Sequence, residues 1–176
     1  MNRQWAIVAF RLGLTFASVW IGFVLLINPW RHVEAHAVIG ALHNLGIHRV
    51  YGTYGNKILV IPRQSHPFIA VISPSCSALA AVLAFGAVAL ILFKGPVRRR
   101  ISAFVAAAAL VRACILLRIG LSIFVGIESN AHGLVVFHDW VGTAFGLLYV
   151  LGGFTAFLFL LLPSNKQLLA EVSGGR

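Results

Sequence analysis

The sequence predicts an all-α membrane protein with about four transmembrane helices, together with an extracytoplasmic amphipathic helix and short strand-like segments. Of its 176 residues, 60% are hydrophobic and only 10% are charged, and the mean hydropathy is +0.93. In soluble domains, about a quarter of all residues are charged. Four segments are apolar over close to the ~20 residues that a membrane-spanning helix needs. The length allows one compact domain, which we place at residues 1–165, followed by a cytoplasmic tail at 166–176.

The basic balance of the chain indicates a membrane partner. There are 14 Lys and Arg residues against 4 Asp and Glu residues, which gives a formal net charge of +10. The sequence has no long basic soluble face of the kind that binds nucleic acid. We therefore expect these charges to orient the helices and to meet anionic membrane lipid, with no nucleic acid as a partner. The two cysteines form neither a CxxC motif nor a zinc-type spacing, and no cofactor is predicted.

Charge also predicts the orientation of the spans. The first span is interpreted as a retained anchor, because its apolar run is longer than that of a signal peptide. The loop "KGPVRRR", residues 94–100, is strongly basic and is therefore expected on the cytoplasmic side. Both termini are then cytoplasmic, and residues 28–75 and the short loop 128–139 lie outside. This predicts a multi-pass protein of the inner or cytoplasmic membrane, with spans at 5–27, 76–93, 101–127 and 140–162.

The predicted outside stretch has its own organisation. "WRHVEAHAVIGALHNLGIHRV" has the pattern of an amphipathic helix that is too polar to span, with Gly46 as its stop. In "YGTYGNKILVIP", the Gly-Asn pair marks a turn and "KILVI" is a strand-like run. "SHPFIAVISPS" is a second extended segment, broken by two prolines.

Three side chains from three predicted spans are expected near the outer face, namely Cys76, Arg118 and His138. A thiolate is a nucleophile, and a neighbouring imidazole lowers the thiol pKa and carries protons. A guanidinium is always charged and can stabilise an oxyanion. The trio therefore predicts an acyl-transfer site. Each member also has a purely structural interpretation, with Cys76 as a small core residue and His138 as an interfacial anchor. Supporting candidates are Ser77, Asp139 and Arg112.

Two arginines lie inside the third predicted span, at a cost of about 2.5–3.5 kcal/mol each, and are functional candidates for that reason. Arg112 and Arg118 are six residues apart and point about 120° apart on an ideal helix, so we expect different roles for them. Arg118 lies nine residues before Ile127, which is about 13 Å along a helix. Either this helix ends earlier, near Ser122 or Gly126, or the site is recessed.

Three blocks of the chain resemble the exosortase/archaeosortase family of membrane transpeptidases. "SPSCSALAAVLAF" is similar to the family's Cys-Ser-Gly block, "CILLRIGLSIFVG" to its Asn-x-x-Arg block, and "FHDWVGTAFG" to its His block. These matches put Cys76, Arg118 and His138 at the family's three motif positions. The sequence departs from the pattern at Ala78, where the family has Gly, and at Ile115, where it has Asn.

The resemblance covers roughly residues 35–160 and implies a specific reaction. Such enzymes cleave a C-terminal sorting signal, made of a short motif, a membrane helix and a basic tail, and join the protein to an acceptor at the cell surface. The implied partner is thus the sorting-signal helix of a substrate protein. Cys76 would be the nucleophile, His138 would manage protons and Arg118 would steady the oxyanion.

Two alternatives remain open from the sequence. His32, His36 and His43 are four and seven residues apart and share one helix face, which is a weak indication of a metal site. The chain is also compatible with a non-catalytic accessory subunit of a membrane complex that keeps the fold without the reaction.

Overall fold

The computed structural model describes residues 3–52, 54–89 and 96–161. The predicted second span beyond residue 89, the start of the basic loop, and the predicted tail at 166–176 lie outside the described residues. The described part is mostly helical, with a small sheet between the first two helices. Its elements are α1 (Arg3–Asn44), β1 (Val50–Gly52), β2 (Lys57–Val60), β3 (Phe68–Val71), a 3₁₀ turn (Pro74–Cys76), α2 (Leu79–Ala87), α3 (Val97–Glu128) and α4 (Ala131–Leu161).

Helix α1 is one continuous helix of 42 residues, with Pro29 inside it. The prediction of a span at 5–27 followed by a separate amphipathic helix is therefore wrong at this junction. A proline removes one backbone hydrogen bond, and the following turns are held by the buried side chains of Ala35, Val38 and Leu42. At 1.5 Å per residue the helix is about 63 Å long, roughly twice the hydrocarbon thickness of a bilayer. About half of α1 therefore extends beyond any membrane that it crosses.

The end of α1 confirms Gly46 as a helix stop. Gly46 has a φ of 80°, a conformation that only glycine adopts without strain. The Gly46 N–H donates to the carbonyl of His43, and the Ile47 N–H donates to that of Leu42. These bonds satisfy the last carbonyls of the helix and turn the chain into the sheet.

Three of the described helices, rather than the four predicted, are long and apolar enough to cross a membrane. They are most of α1, α3 and α4, which is compatible with a multi-pass membrane protein. Helix α2 is described over Leu79–Ala87, and the predicted span at 76–93 is described only as far as residue 89. It begins at Leu79 because residues 74–76 form the 3₁₀ turn.

Helix α4 begins at Ala131, nine residues before the predicted start at Trp140. The predicted loop at 128–139 is wrong, because α3 and α4 are separated by only Ser129 and Asn130. Asn130 caps α4, since its side-chain oxygen accepts from the N–H of Gly133 at 3.0 Å. The two helices form a tight antiparallel hairpin that carries two of the three candidate catalytic residues.

The sheet is antiparallel, in the order β1-β2-β3, and it packs on the C-terminal half of α1. Strands β2 and β3 confirm the two predicted extended segments, whereas β1 was not predicted. The buried face of the sheet includes Val50, Ile58 and Val60, each fully buried. Arg63 ties the sheet to the end of α3 through a 3.2 Å ion pair with Glu128 and a backbone bond to Ile127.

Candidate active site

Cys76 is placed by the 3₁₀ turn that follows β3. Pro74 fixes the backbone at the first position of this turn, and the Cys76 N–H donates to the carbonyl of Ser73 at 3.0 Å. The Ser73 hydroxyl lies 2.9 Å from Cys76 Sγ and 2.8 Å from the Ser75 hydroxyl. Ser77 is buried, and its Oγ accepts from the N–H of Leu79 at 3.3 Å, so it supports the start of α2 rather than the thiol. The thiol is thus held in a short loop, with serines beside it.

His138 reaches the thiol from α4. Its Nε2 lies 3.0 Å from Cys76 Sγ, and the ring is half-buried. His138 was predicted just before the fourth span, but it lies in the second turn of α4, because that helix starts early. Asp139, the next residue along α4, is exposed.

Arg118 approaches the same imidazole from α3. Its Nη2 lies 3.4 Å from His138 Nε2 and 3.5 Å from the His138 carbonyl oxygen, and both distances are at the long end of hydrogen bonding. The side chain is only 8% exposed. Its Nε is buried and has no hydrogen-bond partner in the described part of the chain. One guanidinium donor, Nε, is therefore unused in this arrangement.

Two glycines of α4 make room for Arg118. Gly142 and Gly146 follow His138 at intervals of four residues and so share its helix face. A Cβ at Gly142 would lie 2.6 Å from Arg118 Nε and 2.8 Å from Nη2, distances that real contacts do not reach. A Cβ at Gly146 would meet the guanidinium at an ordinary 3.6 Å. Both glycines fall in the quoted histidine block, yet their packing role was not predicted.

The hairpin accounts for the depth of Arg118. Arg118 lies eleven residues before Ser129, and His138 lies eight residues after Asn130, so the two are recessed by roughly 17 Å and 12 Å from the turn. The recessed site is therefore the alternative that the structure adopts, since α3 continues to Glu128.

The electrostatic environment activates the thiol. Burial has the largest influence and raises the pKa of Cys76, but the hydrogen bonds from His138 and Ser73 and the charges of His138 and Arg118 together outweigh it. The pKa is lowered from 9.0 to about 7. A thiol with this pKa is substantially ionised at neutral pH, as a nucleophilic cysteine requires.

A cavity of about 420 Å³ opens beside the thiol, within the 300–1,000 Å³ that is usual for ligand sites. Its wall includes Cys76 and His138. The rest is mostly apolar and comes from β3, from the end of α3 and from the start of α4, including Ile119, Ile123, Leu134 and Val135. A peptide with apolar side chains fits this lining better than a charged metabolite.

Glu34 is a site residue that the sequence did not reveal. It is fully buried on α1, and its Oε1 accepts from the Ala78 N–H at 2.9 Å and from the Trp30 indole N–H at 2.8 Å. Its Oε2 has no hydrogen-bond partner in the described ranges. The guanidinium of Arg112 lies over the Trp30 ring at 5.0 Å. Arg112 therefore belongs to this cluster and not to the thiol.

The three histidines of α1 do not converge. His36 Nδ1 bonds to the His32 carbonyl, and the two rings lie 4.3 Å apart. His43 turns to the sheet, where its Nε2 lies 2.9 Å from the Val50 carbonyl oxygen. Among the described residues, no group of three or more His, Cys, Asp and Glu side chains is placed to hold a metal ion.

Comparison of the chain with family models, with curated proteins and with solved structures finds no match. The site combines a partly ionised thiol, an imidazole at hydrogen-bond distance and a guanidinium with incomplete hydrogen bonding. Together these groups can form a tetrahedral intermediate at a carbonyl carbon, stabilise it and break it down.

Proposed function

We propose that the chain is a membrane cysteine transpeptidase or peptidase of the exosortase/archaeosortase type, which cleaves C-terminal sorting signals and transfers the cleaved protein to an acceptor. The observation that carries this proposal is the 3.0 Å contact between Cys76 Sγ and His138 Nε2, with Arg118 beside the same imidazole. Cys76, His138 and Arg118 come from three separate elements, and an arginine in an apolar helix is costly unless it has a role.

The first half of the reaction forms an acyl-enzyme. The Cys76 thiolate attacks the scissile carbonyl, and the resulting oxyanion accepts hydrogen bonds from Arg118. The intermediate collapses, the carbon–nitrogen bond breaks, and the leaving amine takes the proton from Nε2 of the His138 imidazolium. A thioester between substrate and Cys76 remains, and the fragment with the membrane helix departs.

The second half transfers the acyl group. Neutral His138 takes a proton from an incoming nucleophile, which attacks the thioester and releases the Cys76 thiolate. An amine or hydroxyl acceptor gives transpeptidation or esterification, and water gives hydrolysis. We place this site on the extracytoplasmic side of the inner or cytoplasmic membrane, where a surface protein would meet it.

Loss of the thiol tests the proposal. Candidate proteins with C-terminal anchor signals are followed in cells that contain the parent chain, Cys76→Ala or Cys114→Ala. Cys114 is half-buried in α3 and provides a matched control. We expect processing to disappear only in Cys76→Ala at equal protein level, and mass spectrometry to detect an acyl adduct on Cys76. Equal processing in all three would reject catalysis and favour the accessory-subunit alternative.

A further inference from the structure

The third strand has a free edge beside the thiol. The Ile72 N–H donates to the Asn56 carbonyl, so residues 56 and 72 form a hydrogen-bonded pair. The register places Ile69 opposite Leu59 and Val71 opposite Lys57. These two pairs lie three positions and one position along the ladder from the pair of residues 56 and 72, so they are not hydrogen-bonded pairs. In an antiparallel ladder these alternate residues direct their N–H and C=O groups away from the partner strand. Within residues 3–52, 54–89 and 96–161, no hydrogen bond reaches these groups of Ile69 and Val71.

The cavity lies along this free edge. All five residues from 68 to 72 line it, although neighbouring side chains of a strand project to opposite faces. A cavity that is lined by five consecutive residues, four of them from β3, follows the length of this strand. The same cavity ends at Cys76 and His138, so it joins the unpaired backbone groups to the reacting atoms.

We propose that the acyl-donor peptide binds as an extended strand on the free edge of β3, with its scissile carbonyl at Cys76. This inference rests on the proposed function and adds the way in which the substrate is recognised. The backbone of the peptide pairs with the N–H and C=O groups of Ile69 and Val71, as in other cases of strand addition. Four residues of strand span about 13 Å, so the recognised segment is short.

The lining selects the side chains of the bound segment. In a strand, every second side chain of the peptide faces the cavity, where it meets Ile119, Ile123, Leu134 and Val135. These positions take uncharged, apolar side chains. The wall also contains Asp139, which disfavours acidic residues in the same segment.

A peptide aldehyde tests this binding mode without knowledge of the natural substrate. The Cys76 thiol adds to the aldehyde carbon, the new oxygen takes the proton, and a reversible thiohemiacetal forms. The probe is an acetylated tetrapeptide aldehyde composed of valine, leucine and alanine. Its binding is measured as the protection of Cys76 from alkylation by iodoacetamide, in protein that carries Cys114→Ala. Each peptide amide is then N-methylated in turn, which removes one donor at a time.

We expect the effect of N-methylation on protection to alternate from one peptide amide to the next. N-methylation at alternate amides weakens protection about tenfold, and the intervening amides serve as matched controls. Val71→Pro removes one N–H donor from the free edge of β3 and leaves the hydrogen bonds with β2 complete. We expect it to weaken protection about tenfold relative to the parent. Each alkylation rate is normalised to that of the same protein without peptide.

Two outcomes separate this inference from the proposed function. If N-methylation of every peptide amide weakened protection equally, or if Val71→Pro left protection unchanged, binding of the peptide as an added strand would be overturned. The cysteine chemistry would remain in place. Absence of protection by every aldehyde in a parent protein whose Cys76 reacts with iodoacetamide would overturn both.

Discussion

The sharpest prediction concerns the thiol pKa of Cys76 when its histidine partner is removed. His138 contributes both a hydrogen bond and a charge that lower this pKa, whereas burial, the largest influence, raises it. In His138→Ala only Ser73 and Arg118 still oppose burial. We therefore expect the pKa to rise from about 7 by about one to two units.

The size of the effect on rate follows from two opposing terms. A thiol with a pKa of about 7 is about half ionised at pH 7, whereas one at 9.0 is about 1% ionised. The thiolate fraction would thus fall about 50-fold for a full two-unit rise. A more basic thiolate is intrinsically more nucleophilic, by roughly eightfold over two units. The alkylation rate at pH 7 should therefore fall about sixfold, whereas at a pH well above both pKa values, where both thiols are ionised, the variant should react faster than the parent by up to about eightfold.

The assay is the rate of iodoacetamide alkylation of Cys76 from about pH 5 to about pH 9.5, followed by mass spectrometry in a Cys114→Ala background. The reactive thiolate increases as pH rises, so the rate climbs through a midpoint near 7 in the parent. His132→Ala is the matched control, since His132 is an exposed histidine on the same helix and does not line the cavity. Equal midpoints in the His138→Ala and His132→Ala proteins would refute the coupling of thiol and imidazole.

Two further predictions concern packing around the site. Gly142→Ala should leave folding intact but slow acyl transfer about a hundredfold, because Arg118 must move by about 1 Å from its contact with the new methyl group. Gly146→Ala adds an ordinary contact, and the processed fraction of a sorting-signal protein should distinguish the two variants. Glu34→Ala should lower the free energy of unfolding in detergent by about 2–4 kcal/mol, because it leaves the buried Ala78 and indole donors unpaired. Glu34→Gln keeps a hydrogen-bond acceptor and should lower the free energy of unfolding clearly less. Equal decreases in the two variants would contradict the role of Glu34 as acceptor for these two donors.

The sequence was sufficient for the membrane helices where hydropathy alone decides, and insufficient where tertiary packing decides. The third predicted span, 101–127, falls within α3, and α4 covers the fourth from residue 140 to residue 161, with residue 162 outside the described residues. The start of α4 was missed because residues 131–139 contain two histidines, a glycine and an aspartate ahead of the uncharged run from Trp140, while the cap by Asn130 and packing against α3 make them helical. The end of the first span at residue 27 was predicted because the following segment is too polar to span, whereas the packed C-terminal half of α1 continues the same helix through Pro29.

The candidate site divides in the same way. Residue type and order along the chain indicated Cys76, Arg118 and His138, because few side chains can do chemistry in so apolar a sequence. The choice between Arg118 and Arg112 required the hairpin, since both satisfy the same sequence argument. Glu34 was missed because its partner, the N–H of Ala78, is 44 residues away and is a backbone group that no side-chain pattern reveals.

The resting state of Arg118 explains why a costly arginine suits this reaction. Its contacts with His138 are long, at 3.4 Å and 3.5 Å, and its buried Nε has no partner in the described ranges. A buried charge with incomplete hydrogen bonding is poorly stabilised. Under the proposed mechanism, the oxyanion that forms after attack by Cys76 supplies a further hydrogen-bond acceptor for the guanidinium. The guanidinium is then better stabilised in the transition state than in the ground state, and such differential stabilisation is what accelerates a chemical step.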